Sequence, residues 1–408
     1  MTAPDLSFVR DRFTALAREQ DGRPCVFADA PGGTQVPDTV IEAMASYLRN
    51  SNANVHGAFV TSRETDDVIA EAHRSAADVL GCDPSEVVIG QNATTLLLHV
   101  SRSIARGLGR EDEIVVTRLD HDANVAPWLL VAEDAGARVR WVDVRDEDVT
   151  LNLDSLDAAI SERTKVVAFT LASNAVGTIT PAAEIVRRAH GAGAIAVADA
   201  VHLAQHRALD VHDLGVDVAV CSAYKFFGPH VGALFGRREL LEELTPYKTR
   251  AASEEIPYRW ETGTLNHEGL AGMTAAVDYL AGLGRSSGDR RARVVEGMEA
   301  VCEQEAALAR RFLEGLASLP DVRLWGIGDG VEDRTPTFAV RLGDRHPLET
   351  AKALAERGVF VWDGHYYAIA VMERLGLLDS GGAVRIGFCH YNTLDEVDRV
   401  LDELAALA

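Results

Sequence analysis

The chain has 408 residues, 47% of them hydrophobic, enough for a large domain with a smaller companion. Its 40 basic residues stand against 62 acidic ones, and a formal charge of −22 argues against nucleic acid or an anionic membrane as a partner. No apolar run approaches the roughly 20 residues of a membrane span. The N-terminus, with Pro4, Asp5, Arg10 and Asp11, lacks a signal-peptide core. Five scattered cysteines (Cys25, Cys82, Cys221, Cys302 and Cys389) without a CxxC pair fit reduced thiols in a cytoplasmic protein, with neither a disulfide framework nor a metal site.

Short β-branched runs alternate with helical stretches through the first two-thirds of the chain. The pattern predicts strands at Glu86–Ile89, Glu113–Val116, Arg138–Val142, Lys165–Thr170, Ala194–Ala198, Asp217–Val220 and Gly232–Phe235. Helical spacing fills most gaps, as in Ala182–His190, where Ile185, Val186 and Ala189 share a face. Such alternation predicts a mostly parallel sheet covered by helices on both faces. The last two strands are joined through a Gly-Pro turn, which predicts an antiparallel return.

Ligands of an open α/β sheet bind beyond the carboxyl ends of its strands. The first strand ends in Gly90-Gln91-Asn92-Ala93-Thr94-Thr95 and opens a helix near Leu96. That arrangement suits a phosphate held by helix N–H groups, or an ordinary Asn or Thr cap. The next loop is Asp120-His121-Asp122-Ala123-Asn124, whose imidazole can stack on an aromatic ring or simply face water. The strand ending at Thr170 leads to Asn174, a donor for a ring hydroxyl. Ala194–Ala198 runs into Asp199, followed by His202 and His206. A carboxylate directly after apolar residues calls for a cation, or caps a helix.

The next strand delivers Cys221-Ser222-Ala223-Tyr224-Lys225-Phe226-Phe227-Gly228-Pro229-His230. A lysine among aromatics is desolvated, which lowers its pKa and makes its amine nucleophilic, as Schiff-base chemistry requires. The alternative is a stem packed on the rings with its head in water. A phosphate site, a ring stacker, a buried carboxylate and an activated lysine, in that order, describe a pocket for pyridoxal 5'-phosphate (PLP).

After Gly272 the texture changes. Residues 273–316 carry a long charged helical pattern, interrupted at Gly284-Arg285-Ser286-Ser287-Gly288. Strands are then expected at Val322–Trp325, Thr337–Arg341, Val359–Trp362 and Val384–Phe388, with helices around 347–356, 367–376 and 394–407. The expected division is a large PLP-binding domain over 20–284 and a small α+β domain built from 1–19 and 285–408.

From Phe27-Ala28-Asp29-Ala30-Pro31-Gly32-Gly33 to His390-Tyr391-Asn392-Thr393, these motifs resemble the class V aminotransferase group, and within it the cysteine desulfurase-like branch. The resemblance implies PLP fold type I, with a seven-stranded large domain, a small C-terminal domain and a homodimer with shared active sites. It implies Thr94, Thr95, Ser222 and Tyr224 at the cofactor phosphate and His121 stacked on the ring. Asn174 and His202 fall near the ring hydroxyl, Asp199 on the pyridine nitrogen and Lys225 on the aldehyde. Thr264, in Trp-Glu-Thr-Gly-Thr-Leu-Asn (260–266), resembles a threonine that reaches the neighbouring subunit's phosphate. Arg385, in Val-Arg-Ile-Gly, matches an arginine that grips a substrate carboxylate.

One departure bears on the reaction. Relatives of this type carry a persulfide-forming cysteine in a Gly-His-His-Cys-Ala loop, whereas this chain has Gly364-His365-Tyr366-Tyr367-Ala368. Cys389 and Cys221 both sit in apolar strand patterns and read as core. The expected course starts with Lys225 as Schiff base and proton acceptor, Arg385 on the substrate carboxylate, and His365, Tyr366 and Tyr367 around the side chain. It leads to an α-carbanion and then to a C–S lyase acting on cysteine or an S-substituted cysteine. Transamination, epimerisation and oxidative decarboxylation use the same parts, and a sulfur-transfer or non-catalytic PLP-holding role is the remaining alternative.

Overall fold

The computed structural model describes residues 6–408; Pro4 and Asp5, and with them the start of the expected 1–19 segment, lie outside the described residues. In chain order the strands used below are β1 (Val26–Phe27), β2 (Val87–Gly90), β3 (Glu113–Thr117), β4 (Arg138–Val142), β5 (Thr164–Thr170), β6 (Ile195–Asp199), β7 (Val218–Ser222), β8 (Gly232–Gly236), β9 (Val322–Trp325), β10 (Thr337–Leu342), β11 (Val359–Phe360), β12 (Trp362–Gly364) and β13 (Ala383–Gly387).

Seven of these form one sheet in the order β2-β8-β7-β6-β5-β3-β4. All neighbours are parallel except β8, which runs antiparallel to both β2 and β7. This is the expected fold type I sheet with its antiparallel return. The interior strands are apolar throughout because both faces are covered, as in Val166–Phe169 and Val218–Val220, all fully buried. At the edge, β4 alternates instead, with Arg138 and Arg140 exposed. Two hydrophobic clusters lie on opposite faces of the sheet, one around Phe169, Phe226 and Phe227, the other around Leu97, Trp128 and Leu241.

The later strands form a second sheet, β9-β10-β13-β12, antiparallel throughout. Its core is built on Phe312, Phe338 and Phe388. The expected strand Val359–Trp362 is divided. Val359–Phe360 pairs in parallel with β1, while Trp362–Gly364 pairs with β13, so the chain changes sheets at Val361. The helix expected at 367–376 is short, Ile369–Arg374. Tyr366 and Tyr367 precede it at φ 51° and 58°, in the left-handed region, which prevents helical backbone there.

The helical run over 273–316 is two helices, His267–Ala281 and Arg290–Leu316, separated by the Gly-Arg-Ser-Ser-Gly turn. The second packs on the first and on the C-terminal helix Leu394–Ala405, and so touches both sheet systems. Near the N-terminus two 3₁₀ turns place Phe13 against Phe227, Tyr279 and Tyr391.

Candidate active site

The carboxyl ends of β2, β3, β5, β6 and β7 converge on two joined cavities. The inner one, of about 510 Å³, is lined by Thr94, Thr95, His121, Asn174, Asp199, His202, Ser222, Tyr224 and Lys225 among others. The outer one, of about 810 Å³, shares Thr94, His121, Asn174, Tyr224 and Lys225 with it and adds Arg385, His365, Tyr366 and Tyr367. Every sequence-predicted site residue except Thr264 therefore lies on one continuous opening.

At the end of β2, Asn92 caps the helix Ala93–Ala105, its Oδ1 accepting from the Thr95 N–H at 2.9 Å. The Thr95 hydroxyl is engaged in the same cap, donating to the Asn92 carbonyl at 2.9 Å. Ser222 Oγ accepts from the Ala93 N–H at 3.0 Å. The cap thus engages the Ala93 and Thr95 N–H groups, while Thr94, Thr95 and Ser222 still line the inner cavity. Gly232 on β8 makes room for it, since a Cβ there would come within 2.5 Å of the Asn92 backbone.

His121 is held by its neighbours. Asp120, buried, accepts from Asn124 Nδ2 at 2.7 Å and from the Thr117 hydroxyl, and burial pushes its carboxyl up to about 8. The His121 Nδ1 accepts from the Ala123 N–H at 3.0 Å, which leaves Nε2 as the protonated nitrogen. Burial, with the cations of Lys225 and Arg385 nearby, lowers its pKa to about 4, so the ring is neutral. Tyr367 stacks on it at 5.5 Å between centroids, 25° from parallel.

Asp199 is 4% exposed, and burial raises its carboxyl to about 6, with the charge of Lys225 opposing. Its Oδ1 accepts from the Val201 N–H at 2.8 Å, and no cation lies within salt-bridge distance among the described residues. Lys225 is 7% exposed. Its Nζ donates to the Pro31 carbonyl and lies 5.1 Å from the centre of the Tyr224 ring. Desolvation, then Arg385, lowers the amine to about 7, which makes free base available at neutral pH.

His202 is buried and neutral, its Nε2 3.1 Å from the hydroxyls of Thr335 and Thr337 and its Nδ1 without a partner. Asn174 donates from Nδ2 to the Tyr366 carbonyl at 2.9 Å and keeps an unpartnered Oδ1. Arg385 donates to the Asn174 carbonyl at 3.0 Å and lies 4.5 Å over the Tyr366 ring, but its Nε has no partner. A buried guanidinium without a carboxylate and a buried amide oxygen without a donor face the same opening.

This donor set fits PLP. A buried carboxylate without a cation suits a pyridinium nitrogen, a desolvated lysine suits an aldehyde, and a capped helix start beside Ser222 suits a phosphate. Residues 26–400 match the model of the family described as aminotransferase class-V. The chain belongs to the class-V aminotransferases. Its cofactor is pyridoxal 5'-phosphate, and it is an enzyme. A cysteine desulfurase from Enterobacter sp. is 32% identical, the match covering 97% of this chain and 96% of that one. The apo structure of a cysteine desulfurase from Thermococcus onnurineus superposes with a TM-score of 0.88 at 28% identity, covering 100% of this chain and 98% of that one. A cysteine desulfurase from Escherichia coli, in its S-sulfonic acid form, gives 0.84 at 26% identity, covering 98% and 97%.

Thr264 lies apart from this class-V site within one chain. It lines a separate cavity of about 250 Å³ with Gln91, His99 and Trp260, which meets the cofactor cavity at Thr95. Residues that sequence reasoning did not single out include Asp122 and Asp363 on the outer cavity, and Pro31, whose carbonyl holds Lys225. Acidic residues in so acidic a chain carry no distinguishing signal. Pro31 acts through its backbone, which side-chain chemistry does not reveal.

Proposed function

We propose that the protein is a C–S lyase, which breaks the Cβ–S bond of cysteine or an S-substituted cysteine by β-elimination. The observation that carries this reading is the rim of the outer cavity. Tyr367 stands there, 65% exposed, and no cysteine is among the residues lining either cavity. Cys221 and Cys389 are core residues of 1% and 0% exposure, and burial pushes the Cys221 thiol up to about 12. Neither is a thiolate that accepts sulfur from a substrate.

PLP, when bound, supplies an electron sink for a pair released at the substrate Cα. The buried carboxylate of Asp199 would hold the cofactor by its pyridine nitrogen and would favour a proton there. Arg385 binds the substrate carboxylate through the donors left free above Tyr366. Asn174, anchored on the Tyr366 carbonyl, offers its Oδ1 to the substrate amine. Lys225, a free base near neutral pH, removes the Cα proton. The electrons of that C–H bond form the Cα–Cβ double bond as the Cβ–S bond breaks and sulfur departs with its pair. The thiol leaves behind an enamine, whose imine tautomer is hydrolysed by one water to pyruvate and ammonium. Tyr366, Tyr367 and Trp362 surround the departing group, and His365 stands beside them.

A two-fold dimer completes the cofactor phosphate site by bringing in Thr264 of the second copy, a reading supported by Thr264 standing outside the cofactor cavity of its own chain. The division into a large domain over 20–284 and a small one from the remainder belongs to the same proposal. Thiol and pyruvate appearing together, in equal amounts, from a cysteine S-conjugate is the expected result. Turnover that needs a keto-acid co-substrate and releases no thiol would instead establish transamination and refute the lyase.

A further inference from the structure

The outer cavity is divided in charge. Its basic, acidic and imidazole side chains are Lys225 and Arg385 at the buried end, His121 between, and Asp122, Asp363 and His365 toward the opening. At the buried end neither Lys225 nor Arg385 has a carboxylate within salt-bridge distance among the described residues, and the Arg385 Nε and Asn174 Oδ1, on residues 5% and 7% exposed, are unpartnered. Toward the opening the situation is reversed. The carboxylates of Asp122 and Asp363 make no salt bridge and no hydrogen bond among the described residues, and burial raises the Asp122 carboxyl with only His365 opposing. The same opening carries two exposed aromatic rings, Trp362 at 50% and Tyr367 at 65%.

Carboxylates without a cation beside accessible aromatic faces make a surface that recognises a positive charge, through ion pairing and cation–π attraction together. Between the two ends, Leu98, Ala126, Pro127 and Leu130 form an apolar wall suited to methylene groups. The outer cavity extends past the residues it shares with the inner one to Trp362, Asp363 and His365, which gives a side chain longer than that of cysteine a path to the rim. A backbone contact fixes the arrangement: the Asp122 N–H donates to the Tyr367 carbonyl at 2.7 Å, tying one acidic residue to the aromatic turn.

We propose that the substrate is an amino acid whose side chain ends in a cationic group, its α-carboxylate at Arg385 and its distal cation between Asp122, Asp363 and the Trp362 and Tyr367 rings. This rests on the reading above that the site acts on amino acids, and it adds to that reading the charge at the far end of the side chain. The general acidity of the chain does not account for it. A charge of −22 explains acidic residues scattered over the surface, but not two of them lining one opening together with two exposed aromatic rings.

Three cysteines of similar length test it on the holoenzyme: S-(2-aminoethyl)cysteine, S-propylcysteine and S-(carboxymethyl)cysteine. The half-saturating concentration for the change in cofactor absorption reports binding, and thiol release reports turnover. Exposed ion pairing and cation–π attraction together are worth about tenfold. The aminoethyl compound is expected to saturate at about tenfold lower concentration than the carboxymethyl one, with propyl between. The preference is expected to shrink at high salt and in the Asp122→Asn, Asp363→Asn double variant. Equal or reversed ranking in the wild type, or a preference in the double variant as large as in the wild type, overturns the proposal. A charge preference in binding without thiol release upholds it while refuting the lyase. Thiol release without a charge preference does the opposite.

Discussion

Tyr366 is the support on which Arg385 rests, and its replacement separates that role from ordinary packing. Arg385 is a fully desolvated guanidinium lowered to about 10 by burial, with no carboxylate in contact. Its supports are the Asn174 carbonyl at 3.0 Å and the Tyr366 ring at 4.5 Å. Tyr366 is 9% exposed, and its hydroxyl donates to the Ala383 carbonyl. Tyr366→Phe removes only that hydrogen bond, worth about 1 kcal/mol. Tyr366→Leu also removes the ring face, worth about 1 to 2 kcal/mol to a desolvated cation. Its smaller volume leaves a void costing about 1 kcal/mol more. The expected losses of stability are therefore about 1 kcal/mol for phenylalanine and about 3 kcal/mol for leucine. Because Arg385 then loses its position, the leucine variant is also expected to raise KM for the amino-acid substrate about tenfold, the phenylalanine variant hardly at all. Urea denaturation of both variants and initial rates across substrate concentration provide the comparison. If the two variants agree in stability within about 0.5 kcal/mol and share one KM, the ring does not hold the arginine and the reasoning fails.

Lys225 gives a pH signature of its own. Its amine is lowered from the ordinary 10.5 to about 7 by burial first and by Arg385 second. Between those values the unfolded chain binds a proton that the folded chain does not, so the lysine's effect makes the cofactor-free protein more stable as pH rises from about 7 to 10.5. Wild type compared with Lys225→Met by denaturation across that window should show this slope in the wild type and a weaker one in the variant; parallel curves would mean the amine is not depressed. Asp199→Asn keeps the size of a 4% exposed side chain and removes its charge. Losing a buried charge-assisted hydrogen bond, about 3 kcal/mol, predicts a fall of about 100-fold in kcat/KM with the cofactor band retained. Activity within threefold of the wild type counts against Asp199 as the partner of the pyridine nitrogen.

The sheet was legible in the sequence because its interior strands are buried on both faces, and an unbroken run such as Val218–Val220 has few other places to go. The inner cavity was legible for a related reason. Each strand end presents one chemically distinctive residue, and fold topology alone gathers strand ends, so Asp199, Lys225 and His121 could be brought together without coordinates. The outer cavity resisted because its residues come from backbone conformations that residue type does not encode. Val359–Trp362 reads as one strand, yet it serves two sheets. Tyrosine is not a residue expected at positive φ, and two in succession, Tyr366 and Tyr367, adopt it.

That conformation follows from what holds it. The Tyr366 carbonyl accepts from Asn174, the Tyr367 carbonyl from Asp122, and the Tyr367 N–H donates to His365 Nδ1 at 3.1 Å. One left-handed non-glycine residue costs on the order of 1 kcal/mol, and these bonds together with the His121 stack offset two. The turn is therefore tied to His121, Asn174 and Asp122 at once. A turn that orients a substrate side chain needs its own backbone held in place, and the contacts around Tyr366 and Tyr367 hold it.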